Sequence, residues 1–220
     1  MSNENIDVSF RDIYRLGYLE LSVPKTVMDI IQDEITTMDK TKFEGYVPYN
    51  NNLAGSIQHE YVLRKSFEAL NELVSKVSPF YWRGQGDWNE HIAVKKHAIR
   101  VNPNGDPDLW VNFQQPGEVN PMHTHGGALS FVIWIQLPFT MEDEFNHPSV
   151  KNSNFKTAAQ FRFHYADASI RGGIGDYFIN ADHTFEGKMI IFPADLVHSV
   201  SPFRTSNRYR ISVSGNIAYE

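Results

Sequence analysis

The sequence predicts a mainly β chain preceded by helices, and three observations predict it. Apolar residues recur at helical spacing only within about the first eighty positions. From about residue 93 the pattern turns to short runs rich in β-branched and aromatic residues. Gly, Pro, Asn and Asp separate those runs. Several short strands with turn-rich spacers point to an antiparallel sandwich or jelly roll, flanked by the N-terminal helices. The 220 residues suit a single domain, mainly helical over 1–90 with a jelly-roll core over 91–220.

The first helix opens at Pro24, a residue suited to a first helical turn. Val27, Ile30, Ile31, Ile35 and Met38 then fall on one face. Residues 46–56 are rich in Tyr, Asn and Gly and read as a loop. A second amphipathic stretch carries Leu63, Phe67, Leu70, Leu73, Val74 and Val77 and stops before Pro79. Strands are expected over 94–101, 109–114, 129–137, 157–165, 188–192 and 209–217, with the two helices covering one sheet face. Residues 141–153 are polar and acid-containing and read as a surface loop. With residues 166–186 they are expected to shape an entrance. Trp82 and Trp88, near Gly84 and Gly86, read as core and turn. The run Arg171-Gly-Gly-Ile-Gly-Asp neither follows a strand nor opens a helix, which argues against a phosphate loop.

Composition removes several function classes. A net charge of −6 leaves no basic surplus to displace counterions from nucleic acid, and ordinary solubility accounts for it. With no cysteine there is no disulfide framework, no thiolate zinc site and no iron–sulfur cluster. Any metal must be held by nitrogen and oxygen. The start, Met-Ser-Asn-Glu-Asn-Ile-Asp-Val, lacks the basic and apolar segments of a signal peptide. No apolar run approaches the ~20 residues that span a membrane. A cytoplasmic protein without membrane or nucleic-acid partners is expected.

The chemistry-bearing residues are histidines. His123 and His125 stand one apart ahead of an apolar run, and on a strand such a pair points to one side. Alone, the pair is weak evidence for a metal and reads more readily as two solvated or packed imidazoles in a loop. His198 follows a second apolar run, 189–193, where a jelly roll brings distant strands together at the barrel mouth. Three imidazoles on one face suit Fe, Cu, Ni or Zn and leave positions open. Ten residues on, Arg208 and Arg210 alternate onto one face of the last strand. Facing inward, a guanidinium there would require a carboxylate, which a dicarboxylate cosubstrate supplies bidentately. Facing outward, the pair would be surface arginines. His59, His97, His147, His164 and His183 read as surface or packed histidines, with Arg162 and His164 on one strand face that is able to line a pocket.

These residues resemble the Fe(II)/2-oxoglutarate-dependent oxygenase superfamily. The segment from His198 to Val213 is similar to the distal-histidine-to-arginine segment of the prolyl-hydroxylase-like group. The ordered set Trp110-Val-Asn112, Pro116-Gly117, His123-Thr-His125, Phe192-Pro193 to His198 and Arg210-Ile-Ser is similar to a bacterial and phage branch of these oxygenases, over about residues 105–217. Most of the superfamily has a carboxylate where His125 stands, so His125, Glu118 or Asp195 completes the ligand set. One alignment favours Arg208 as the cosubstrate arginine and the other Arg210. Ile133 and Trp134 stand where the family often carries tyrosines. A rival resemblance, to cupins, uses Gly117, His123, His125, Gly187, Pro193 and His198, without the usual glutamate after His125. Both imply a double-stranded β-helix.

The first resemblance implies a dioxygenase that couples 2-oxoglutarate decarboxylation to hydroxylation, releasing succinate and CO2. Fe(II) would be held by His123, His125 and His198, with 2-oxoglutarate gripped by Arg208 or Arg210 and O2 at an open position. Phe131, Ile133 and Trp134 would exclude water if their face is the inner one. The cupin resemblance implies a metalloprotein without the oxoacid, and a jelly roll that only binds is the third possibility. The substrate is expected to be a small molecule or a protein side chain. Oligomeric state has no sequence signal.

Overall fold

The computed structural model describes residues 16–38, 43–85, 90–167 and 173–219. Gly86, Trp88, Arg171, Gly172 and the N-terminal residues 1–15 lie outside that description. The elements run β1 (Leu19–Ser22), α1 (Lys25–Thr36), β2 (His59–Val62), α2 (Phe67–Val77), α3 (Pro79–Gly84), α4 (Glu90–Ala93), β3 (His97–Ile99), β4 (Leu109–Gln114), β5 (Asn120–His123), β6 (Leu129–Gln136), α5 (Met141–Asn146), β7 (Phe161–Asp167), β8 (Gly173–Ile179), β9 (Lys188–Pro193), β10 (His198–Val200) and β11 (Arg210–Tyr219).

Two antiparallel sheets result. The larger has the order β1-β9-β6-β11-β4-β2, with β3 also paired to β11. The smaller has the order β5-β10-β7-β8. Alternation along each strand gives the larger sheet two faces. Its outer face carries Val111, Phe113, Phe131, Ile133, Ile191 and Val213, which share a core with Ile31 and Ile35 of α1 and Leu70 and Val74 of α2. The helices therefore cover one sheet face, as their amphipathic spacing predicts. The inner face turns Val132, Trp134, Ile190 and Phe192 toward Phe161 and Phe163 of the smaller sheet. The site lies in this space between the sheets.

A buried carboxylate fastens the helical layer. Glu34 accepts backbone N–H groups of Arg64 (2.8 Å), Lys65 (2.9 Å) and Ser66 (2.8 Å), and the Ser66 hydroxyl at 2.6 Å. It satisfies donors at the start of α2 from a side chain on α1.

The structure departs from the sequence reading at several elements. Pro24 stands at the N-cap of α1 rather than inside its first turn. β1, β2 and β8 form where no strand is expected. β1 and β2 are four residues each, too short to show a period, and β8 starts Gly-Ile-Gly. Residues 141–153 hold a helix, α5, whose N-cap Thr140 hydroxyl accepts from Asp143 N at 3.1 Å. The expected strand 94–101 shrinks to β3, because α4 and a turn take its first residues. Among the described residues, no helix is long and apolar enough to cross a membrane.

Candidate metal centre

β5 and β10 build the centre. They pair antiparallel, and His198 registers directly opposite His123. His125 arrives differently. β5 ends at His123, so strand alternation does not orient the pair as expected. The chain turns after Thr124, and His125 N–H donates to Ala194 O at 2.9 Å, tying this loop to the turn beyond β9. Gly127, at φ +112°, makes the turn possible.

The three rings converge. Their centroids lie 4.8 Å apart for His123 and His125, 4.2 Å for His123 and His198, and 4.9 Å for His125 and His198. The ligand nitrogens all lie within 4.8 Å of one another. Second partners set the tautomers. His123 Nδ1 is 2.7 Å from Pro121 O and His198 Nδ1 is 2.8 Å from Leu196 O. A carbonyl only accepts, so both Nδ1 atoms carry the proton and both Nε2 lone pairs face the cluster. His125 Nε2 stands 3.1 Å from His198 Nε2.

Burial keeps these imidazoles neutral. Desolvation lowers the pKa of all three, and the neighbouring imidazoles lower those of His125 and His198 further. His125 is pushed down to about 3. His198 packs against Phe161 and Phe192, with centroids at 5.4 and 4.9 Å, and His125 against Trp110 at 5.6 Å. Neutral imidazole is the metal-binding form. Two nitrogens bound side by side at ~2.1 Å from one ion stand roughly 3 Å apart, which the His125–His198 spacing matches. The donor set fits a divalent metal.

The carboxylate alternatives lie elsewhere. Glu118 accepts from Gln58 N at 3.0 Å and Gln115 N at 2.7 Å, bracing the turn before β5. Asp195 is exposed. Among the described residues, His123, His125 and His198 are the group that converges with metal-ligand spacing.

The two arginines separate. Arg208 is exposed, and its Nη2 donates to Gln136 Oε1 at 2.9 Å. Arg210 lies on the inner face of β11, 3% exposed. Its Nη1 donates to Ala159 O at 3.0 Å and Ser201 O at 3.4 Å, and its guanidinium sits 5.9 Å from the Phe139 ring centre. Burial pushes its pKa down to about 10, with only a distant attraction to Glu144 opposing. Among the described residues no carboxylate comes within ion-pair distance of it. A narrow cavity of about 40 Å³ joins Arg210 to Asn112, Gln114, Trp134, Ser212 and Ser214.

Other expectations resolve by face. Trp134 points inward, but Phe131 and Ile133 point outward into the helix layer, because odd positions of β6 face away from the site. Arg162 and His164 lie on the face of β7 opposite Phe161 and Phe163, so they do not line the site. There Asp176 Oδ1 is 2.5 Å from His164 Nδ1, and Arg162 stacks over Phe155 and Phe178. Of the remaining histidines, His97 is buried on Ser78 (2.7 Å) and His59 stacks on Phe43. Gln114 and Ser214 have no place in the sequence reading, and Asn112 and Ser212 enter it only as parts of motifs. Their signal was present: polar residues alternate with apolar ones in Val111-Asn-Phe-Gln and Ile211-Ser-Val-Ser. Glu60, buried with a pKa pushed up to about 8 by burial and by Glu118, had no such signal.

Residues 108–216 match the model of a family described as "Putative 2OG-Fe(II) oxygenase". The chain is similar in structure to a Pseudomonas putida prolyl-4-hydroxylase, with a TM-score of 0.54 at 12% identity, over 93% of this chain and 94% of that one. It also matches an oxidoreductase of the 2OG-Fe(II) oxygenase family from Burkholderia pseudomallei, with a TM-score of 0.44 at 15% identity, over 71% of this chain and 57% of that one. No curated protein matches it. A mainly β fold with a convergent trio of neutral imidazoles, and a family match spanning that trio, agree: the chain belongs to the 2-oxoglutarate- and Fe(II)-dependent oxygenases, enzymes that work with Fe(II), 2-oxoglutarate and O2.

Proposed function

We propose that His123, His125 and His198 hold the Fe(II) of this 2-oxoglutarate-dependent dioxygenase, and that Arg210 rather than Arg208 receives the far carboxylate of the oxoacid. The observation that carries this reading is a buried guanidinium with no carboxylate within ion-pair distance among the described residues, at one end of a cavity between the sheets. A charge so placed is costly unless an anion joins it. Its planar fork suits a terminal carboxylate.

Bound Fe(II) would supply a template for the oxoacid and the redox chemistry with O2. The chain's own residues do the rest. The Nδ1–H bonds of His123 and His198 fix the rings so that Nε2 faces the ion. Ser212, Ser214, Asn112 and Gln114 offer hydrogen bonds along the cavity. Trp134 and Phe161, on opposite sheets, exclude water from it. Three neutral imidazoles leave the ion one unit more positive than the usual two-histidine, one-carboxylate set. The helical part and the sheets share one apolar core, and residues 1–220 are proposed to act as one domain. A cytoplasmic setting suits a cysteine-free chain. The likeness to a prolyl-4-hydroxylase makes a protein side chain one substrate class to try; a small molecule is the other.

Purified protein given Fe(II), ascorbate and 2-oxoglutarate is expected to release succinate, slowly even without substrate, and His198→Ala to stop it. Absence of succinate together with no 2-oxoglutarate-dependent thermal shift would overturn the proposal.

A further inference from the structure

A second cavity, about 200 Å³, lies at the other end of the same inner row of β11. Arg210, Ser212 and Ser214 line the first cavity; Asn216, two residues on, lines the second. Arg210 and Asn216 are six residues apart, roughly 20 Å along a strand. The second cavity also touches Thr124, His125 and Gly126, so it opens beside the imidazole trio. Its walls are almost entirely polar, with Leu53 the apolar exception.

Its one cation is built in with care. Arg100 N donates to Asn216 O at 2.9 Å, fixing the base of the side chain. A β-carbon at Gly126 would collide with Arg100 Nη1, so the guanidinium lies against the loop that follows His125. Its carboxylate neighbour is Asp108, with Nη1 to Oδ2 at 3.6 Å. That is longer than a hydrogen bond. Asp108 is already occupied: the Tyr49 hydroxyl donates to one oxygen and Asn216 Nδ2 to the other, the latter at 2.9 Å. The Ser130 hydroxyl holds Asn216 in turn at 2.7 Å. Asp108 is buried behind these donors, while the Arg100 side chain is 38% exposed and lines the cavity. The fork keeps its donors for another anion, and Asn52 and Thr124 stand beside it with further polar groups.

We infer that this cavity binds an anionic group of the primary substrate, a carboxylate or a phosphate, with Arg100 as the residue that sets specificity. The inference rests on the reading of His123, His125 and His198 as metal ligands. The oxoacid's carboxylate is held at the Arg210 end, and the substrate's anion at the Arg100 end. A substrate anchored there presents its neighbouring carbons to the metal. An apolar substrate finds no matching wall.

The test uses the whole protein loaded with Mn(II), which is paramagnetic, and with saturating 2-oxoglutarate, so that metal and Arg210 are both engaged. Mn(II) binding by electron paramagnetic resonance and 2-oxoglutarate binding by calorimetry come first; their failure counts against the metal-centre reading and is seen separately. Inorganic phosphate and acetate are then titrated in parallel, reading Mn(II)-induced relaxation of the phosphorus and methyl-proton signals. Saturable relaxation of at least one anion is expected, with about tenfold weaker binding in Arg100→Gln at unchanged Mn(II) affinity, and partial recovery in Arg100→Lys. Preference for acetate assigns a carboxylate, and preference for phosphate a phosphate. No saturable relaxation from either anion, or equal relaxation in Arg100→Gln, overturns the inference. If Arg100→Gln disturbs Mn(II) binding, Asn52→Asp, a change at an exposed position, decides by the same criterion.

Discussion

Replacing Arg210 with Met is expected to stabilise the metal-free, ligand-free protein while removing its response to 2-oxoglutarate. Burial lowers the Arg210 pKa from 12.5 to about 10. Both folded and unfolded chains carry the charge near neutral pH, so this lowering corresponds to about 3 kcal/mol by which the fold is destabilised through holding it. Met fills much of the same volume with no charge. The substitution also strips donors from Ala159 O and Ser201 O, at about 1 kcal/mol or less each. The difference leaves Arg210→Met more stable by about 1–2 kcal/mol, which for a chain of this length raises Tm by about 4 °C. Oxoacid at about a hundred times its Kd would raise wild-type stability by about 2.7 kcal/mol and the variant's not at all. Thermal melts with and without 2-oxoglutarate, metal held constant, read both effects. A variant that melts below wild type without ligand, or that still gains from 2-oxoglutarate, would show that Arg210 is a structural arginine and refute the reasoning.

Other outcomes follow from the same geometry. Arg208→Ala, at an exposed position bonded to Gln136, is expected to leave 2-oxoglutarate affinity within about twofold of wild type by calorimetry. Glu60→Gln removes a carboxyl whose pKa rises from 4.5 to about 8 on folding. The folded state then holds a proton that the unfolded chain releases, so this group's stabilisation is complete below pH 4.5 and is lost as pH rises toward 8. Relative to the variant, wild type is expected to lose about 3 kcal/mol between pH 4.5 and 7, measured by urea unfolding across that range. Glu144→Gln breaks a buried carboxylate that accepts from Arg204 N at 2.8 Å, Thr205 N at 2.7 Å and the Thr205 hydroxyl at 2.6 Å. It is expected to cost about 2–3 kcal/mol in the same assay.

Much of the architecture was legible because period carries burial. The stripe of Ile31, Ile35, Leu70 and Val74 predicts helices lying on a sheet, and the described core joins those residues to Val111, Phe113 and Val213. The short strands β1, β2 and β8 were not legible. Four residues give two alternations at most, and β8 opens with glycines whose place in a sheet depends on β7 beside it.

The sequence by itself singles out the candidate residues of the proposed site. His123, His125, His198 and a late arginine are conspicuous because their types and order suit a metal and a dicarboxylate, whatever the fold. Tertiary structure decides how they meet and which of them lie inside. Register sets His198 against His123, whereas His125 reaches the cluster through a turn that no alternation rule describes. The chain's path past β11 leaves Arg208 in solvent and buries Arg210, although only one residue separates them. It also turns Arg100, unremarkable in sequence, toward His125 from about 25 residues away. A pattern along the chain reports which face a residue prefers. Which distant group waits on that face depends on strand order and register, and these are set by the sum of the packing rather than by any local stretch.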